Sequence, residues 1–161
     1  MSGFEPIVSS PLLPPAGSDP TPEAWRARWL QAASRANDPA VTLALQARLD
    51  DAADQALLAG VFAMSPFLAD CLTTEPTVLL DYRTRGPAAV VDAEIRAIDG
   101  LPLDRNRMLP GLRHAKRRVA TVVGLADLEG AFDLAAVTSS LTRLADRATE
   151  AVLETFLIES A

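Results

Sequence analysis

The residues of this chain that come closest to a catalytic pattern are Gly17, Ser18 and Asp19. Nucleotidyl transfer uses a Gly-Ser turn followed by two aspartates one residue apart, which hold Mg²⁺ and a triphosphate. Here Pro20 and Thr21 follow Asp19, so the second aspartate is missing. The triplet also lies in a proline-rich segment, where no preceding strand would fix its position. We therefore expect no metal site at these residues.

Other side chains lack the neighbours that catalysis requires. Asp127 and Glu129 are one residue apart and could ligate a hard cation, but acids between helices are usually solvated or act as caps. The single histidine, His114, has no nucleophile or orienting acid within a helical turn, so we interpret it as a surface or boundary side chain. The single cysteine, Cys71, follows an apolar run, which is typical of a buried and inert thiol.

The sequence also lacks the combinations that mark metal and phosphate sites. One histidine and one cysteine do not suffice for a zinc site, and the eight glycines are too scattered to cradle a phosphate. We therefore predict no catalytic, no cofactor-binding and no metal-binding residues in this chain.

Basic residues are concentrated in the segment 105–118, which holds six of the fifteen lysines and arginines and no acid. Arg113, Lys116 and Arg117 lie three and four residues apart and share one helix face, beside His114 and Arg118. One hypothesis is that this face docks an acidic partner, an acidic domain of the same protein or a phosphate-bearing ligand. The other is a solvated face whose side chains pair with acids elsewhere in the fold.

Size and charge restrict the class of protein. The chain has 161 residues, of which 49% are hydrophobic and 22% charged, as expected of one folded domain. Its net charge of −6 disfavours binding to nucleic acid or anionic lipid. The longest apolar stretches, such as 57–64, are far shorter than the roughly 20 residues of a membrane span. We expect a cytoplasmic protein that binds neither nucleic acid nor membranes.

The distribution of prolines divides the chain into two parts. Six of the twelve prolines lie within the first 22 residues, so we predict a disordered tail at 1–20 and a helical domain at 21–161. Helix starts are marked by a capping side chain, mostly with proline next to it; these caps are Thr21, Asp38, Ser65, Thr74 or Glu75, and Asp133.

Apolar spacing predicts the helices themselves. One helix should run from Pro39 past Leu57 to Gly60, with Asp50, Asp51 and Asp54 on its wet face. A long helix should run from Leu103 to about Ala126, with its regular part starting near Leu109. The last helix should carry one apolar stripe, formed by Leu134, Val137, Leu141, Leu144, Ala148, Val152 and Phe156. No segment alternates with period two. The predicted fold is all-α, with short helices packed on a long antiparallel helical hairpin.

Two stretches, which together cover roughly residues 40–160, are similar to a known family. Phe62-Ala-Met-Ser-Pro-Phe-Leu68, followed by Glu75-Pro76, resembles a pattern near the start of bifunctional glutamine-synthetase adenylyltransferases/adenylyl-tyrosine phosphorylases. The next helical block of that family resembles Leu112 to Arg118, Gly124 to Gly130, and the segment from Leu141 to Asp146.

The resemblance implies a role in adding AMP to a tyrosine of glutamine synthetase or removing it by phosphorolysis. In that family a nucleotidyltransferase domain follows the helical block and uses Mg²⁺ and ATP. This chain ends at Ala161, before that domain would begin, so we expect a non-catalytic fragment or scaffold. Its expected partners are glutamine synthetase or the nucleotidyltransferase domain. Two alternatives stay open: an independent helical module that docks an acidic partner through Arg113, Lys116 and Arg117, or a fragment without a function of its own.

Overall fold

The computed structural model describes residues 21–160, and within that range it contains helices and no strand. The all-α prediction is confirmed. The predicted tail at 1–20, including Gly17, Ser18 and Asp19, lies outside the described residues. The helices are α1 (Pro22–Ala33), α2 (Pro39–Ala47), α3 (Ala52–Met64), α4 (Pro66–Thr74), α5 (Thr77–Arg85), α6 (Pro87–Ala97), α7 (Arg105–Leu128) and α8 (Leu134–Glu159), with a 3-10 turn at Ile98–Gly100.

Side-chain caps start four of the eight described helices at residues that the sequence predicts. Thr21, Asp38, Ser65 and Asp133 each accept a hydrogen bond from a backbone N–H of the first turn. These bonds satisfy donors that have no partner inside a helix. The cap predicted at Thr74 or Glu75 is wrong, because α5 starts without a side-chain cap.

The helix predicted from Pro39 to Gly60 is in fact two helices. The chain leaves the helical path after Ala47, and Asp51 starts α3 by accepting a hydrogen bond from the N–H of Asp54 at 2.9 Å. The same bond lowers the pKa of Asp51. Gly60 lies inside α3 and does not end it. The capping acid gives the first-turn N–H groups of α3 a partner, which favours a break between α2 and α3. The apolar spacing continues through this break and therefore does not reveal it.

The long helix α7 lies at the centre of the fold and packs against α3, α4, α5, α6 and α8. It starts at Arg105, within the predicted range, and is already regular before Leu109, because Asp104 caps it by accepting a hydrogen bond from the N–H of Arg107 at 2.9 Å. Pro110 therefore lies inside the helix, where its nitrogen donates no hydrogen bond. Near the start of α7, the Met108 sulfur lies 3.3 Å from the Thr155 hydroxyl near the end of α8.

Aromatic and aliphatic side chains from most of these helices form one core. Trp29 is fully buried, and its indole N–H donates to the carbonyl of Leu45 at 3.0 Å. Cys71 is buried, as predicted. Among residues 21–160, none of the helices combines the length and the apolar character that a membrane crossing requires.

Candidate interaction surface

Arg118 is the one residue of the basic face that the fold buries. Its guanidinium group donates to Glu75 at 2.7 Å, to Glu94 at 2.6 Å and to Asp81. Burial by itself lowers the pKa of Arg118, but hydrogen bonds with these three carboxylates outweigh burial and raise it. For Arg118, the hypothesis of pairing with acids elsewhere in the fold is therefore correct.

A second group of ion pairs joins α3, α5 and the residue that follows α7. Arg83 donates to Asp54 at 2.6 Å and makes two hydrogen bonds to Glu129, at 2.7 and 2.8 Å. Tyr82 donates its hydroxyl to Glu129 at 2.6 Å. Burial, together with this hydrogen bond, raises the pKa of Tyr82. Glu129 thus ties the end of α7 to α5.

Asp54 corrects a prediction from the sequence. The sequence pattern predicts that it lies on the wet face of a helix, yet it is 1% exposed and pairs with Arg48 and Arg83. Because α3 starts at Ala52, directly after its cap Asp51, the rotation of the helix turns Asp54 inward. An arginine from another helix then compensates the buried charge, which a sequence pattern does not reveal.

His114 and Asp127 lie at the surface, as predicted. His114 is half exposed, and its Nδ1 lies 3.4 Å from a carboxylate oxygen of Glu75, an acid from another part of the chain. Asp127 is exposed and belongs to the last turn of α7 rather than to the connector. Within residues 21–160, no three side chains of His, Cys, Asp or Glu come together in a way that could hold a metal ion.

The three basic residues that share a face behave differently from Arg118. Arg113 and Lys116 are exposed and Arg117 is half-buried. Within the described part of the chain, none of the three pairs with a carboxylate, whereas Arg28, Arg48, Arg83, Arg118, Arg143 and Arg147 all do. These three cations are therefore available to a partner.

A strip of apolar side chains on α8 is also exposed. Leu134, Leu141, Val152 and Phe156 are 81%, 43%, 42% and 66% exposed. The predicted apolar stripe of α8 is therefore not buried along its whole length, because these four of its residues are exposed. Small side chains let α8 approach its neighbours closely on another face, which hydrophobic spacing alone does not predict. That packed face includes Leu144, Ala151 and two small polar residues, Ser140 and Thr155.

The described residues form an all-helical module whose ion pairs join its helices and whose surface exposes Arg113, Lys116 and an apolar strip of α8. The family model for glutamate-ammonia ligase adenylyltransferase matches residues 55–160. The chain belongs to this family.

Several relatives are similar over most of the chain, and each is named a bifunctional glutamine synthetase adenylyltransferase/adenylyl-removing enzyme. The protein of Xanthobacter autotrophicus is 35% identical over 138 residues, which are 82% of this chain and 14% of the relative. The Brucella suis protein is 27% identical over 81% of this chain and 13% of the relative. The chain thus spans about one seventh of the length of these relatives. No solved structure matches it with significance.

Proposed function

We propose that this chain is a non-catalytic helical scaffold of a glutamine synthetase adenylyltransferase system. In this proposal it packs against a nucleotidyltransferase domain or against glutamine synthetase, in the cytoplasm, and binds neither nucleic acid nor membranes. Mg²⁺ and ATP belong to the catalytic domain. The observation that carries the proposal is the family match, which starts in α3 and runs through α8, and so covers the helices packed around α7.

Ion pairs support a scaffolding role. Through hydrogen bonds with carboxylates, Arg118 joins α7 to three other parts of the chain and Arg83 joins α5 to two. Such fixed connections hold helices in one arrangement, which is what a neighbouring catalytic domain requires of its support.

A chimaeric enzyme tests the proposal. Residues 21–160 would replace the aligned segment of the Xanthobacter autotrophicus relative, and adenylylation of glutamine synthetase would be measured with Mg²⁺ and ATP. We expect the chimaera to keep activity that deletion of the segment abolishes, and the isolated chain to show none. Turnover by the isolated chain, or a chimaera no more active than the deletion, would contradict the proposal.

The second candidate function is an independent interaction module that docks an acidic partner. It is favoured by the absence of carboxylate partners for Arg113, Lys116 and Arg117 among the described residues. Binding to immobilised glutamine synthetase would be compared between the wild type and a variant with R113E, K116E and R117E. A matched control reverses three other exposed arginines, Arg35, Arg85 and Arg96. Equal binding by both variants would count against this candidate.

A further inference from the structure

Two unpaired charges of opposite sign lie on the same face of α7. Arg118 points to the side of α7 on which α5 and α6 lie, where it donates to Asp81 and Glu94. Each residue turns an α-helix by about 100°, so Lys116 and Asp127 lie about 160° and 180° around the helix from Arg118. Both are exposed, and neither forms an ion pair within residues 21–160. A cation and an anion on α7 therefore face away from α6.

The same reasoning places apolar side chains of α8 on that side. Arg143 points to α6, where it pairs with Asp92 at 2.7 Å. Leu134, Leu141 and Ala145 lie about 160° to 180° around the helix from Arg143. Because α6 packs against both α7 and α8, both sets of side chains project from the opposite side of the pair. We call this surface the outer face; it is formed by Lys116, Asp127, Leu134, Leu141 and Ala145.

The contact between Met108 and Thr155 shows which residues of α7 and α8 lie side by side along the outer face. The midpoint between Lys116 and Asp127 lies near residue 121, about 20 Å after Met108 along α7. Since α8 runs in the opposite direction, the same level on α8 is about 20 Å before Thr155, close to Leu141. The two charges thus lie at equal distances above and below an exposed leucine.

This arrangement makes the outer face self-complementary. Consider a two-fold axis that lies in the outer face, perpendicular to α7 and α8, at the level of Leu141. Rotation about this axis brings Lys116 of one copy opposite Asp127 of the other. We propose that a second copy of this chain covers the outer face about this axis, with the two α8 helices antiparallel. Lys116 of each copy then lies opposite the other copy's Asp127, and Leu141 of each copy packs near the axis, between the levels of the two ion pairs.

A second copy fits this surface better than a lipid surface does. A lipid surface is disfavoured by the net charge of −6. Close approach of two helices needs small residues at the crossing, and Thr138, Thr142 and Ala145 flank Leu141 there. Each copy also offers both partners of the ion pair, as a two-fold interface requires.

Analytical ultracentrifugation of the full chain tests the proposal. We expect a concentration-dependent species of twice the 17.1 kDa chain mass. L134E with L141E should weaken the dimer by about 100-fold or more, because charges would enter the apolar contact between the copies, at its centre and at its edge. The matched control is L153E with L157E, which changes two exposed leucines of α8 outside the outer face and should leave the dimer intact. Circular dichroism would confirm that each variant is folded.

A charge exchange tests the orientation of the two copies. K116E and D127K should each weaken the homodimer by about three- to thirtyfold, as expected when two exposed ion pairs are lost. A mixture of these two variants restores both pairs, so its heterodimer should be more stable than either homodimer. As a control, R96E mixed with D127K should form no heterodimer more stable than the R96E homodimer.

Three results would overturn the proposal. They are a wild type that stays monomeric, a dimer that resists L134E with L141E, and a mixture of K116E and D127K without the gain in stability. The proposal does not depend on the scaffolding function, because self-association is measured without a catalytic domain or glutamine synthetase.

Discussion

Replacing Arg118 by methionine should cost more stability than any other change of a single charged residue on α7. The substitution keeps an unbranched side chain in the site but removes the cation. Glu75, Asp81 and Glu94 would then face one another without their shared partner.

Each hydrogen bond to a charged group contributes about 1.5–3 kcal/mol, so three such bonds give about 4.5–9 kcal/mol as an upper range. The three carboxylates are 13–35% exposed and regain water when the arginine is lost. Breaking a buried ion pair typically costs about 3–5 kcal/mol. We therefore expect R118M to lower the free energy of unfolding by about 3–4 kcal/mol.

Urea unfolding, followed by circular dichroism and tryptophan fluorescence, would measure this difference. R118K keeps the charge but loses the planar fork of donors, so it should cost about 1–2 kcal/mol. R96M changes an exposed arginine without a carboxylate partner among residues 21–160, and its effect should stay within about 0.5 kcal/mol. A loss for R118M no larger than that for R96M would refute the reasoning.

Other perturbations test the buried contacts and the backbone. Tyr82 is the single tyrosine, and its pKa in the folded chain is raised above the ordinary value of 10.0. Its contribution to the stability of the fold is therefore complete below that value and is progressively lost above it. In an alkaline titration, phenolate absorbance should appear only as the chain unfolds. W29F removes the donor to the Leu45 carbonyl and should cost about 1–3 kcal/mol in urea unfolding. G60A should gain about 0.5–1 kcal/mol inside α3, where nothing obstructs a Cβ, whereas G86A should destabilise because φ is +78° there. Equal effects at the two glycines would contradict this.

The sequence determined the local features of the fold because these depend on neighbouring residues. A capping side chain and a proline mark a helix start within a few residues, as Ser65 and Pro66 do for α4. The buried position of Cys71 is predicted for the same reason, since Cys71 follows the apolar residues Phe67 and Leu68.

Tertiary structure alone decided which charged and apolar groups are buried. Asp54 and Arg118 carry charges that a sequence pattern places in water, and only partners from other helices compensate them in the interior. On α8, two adjoining strips have apolar side chains, and the packing of α6 and α7 selects the strip that contains Leu144. Helical spacing defines faces around one axis, but burial depends on what lies opposite each face, which residues distant in sequence supply.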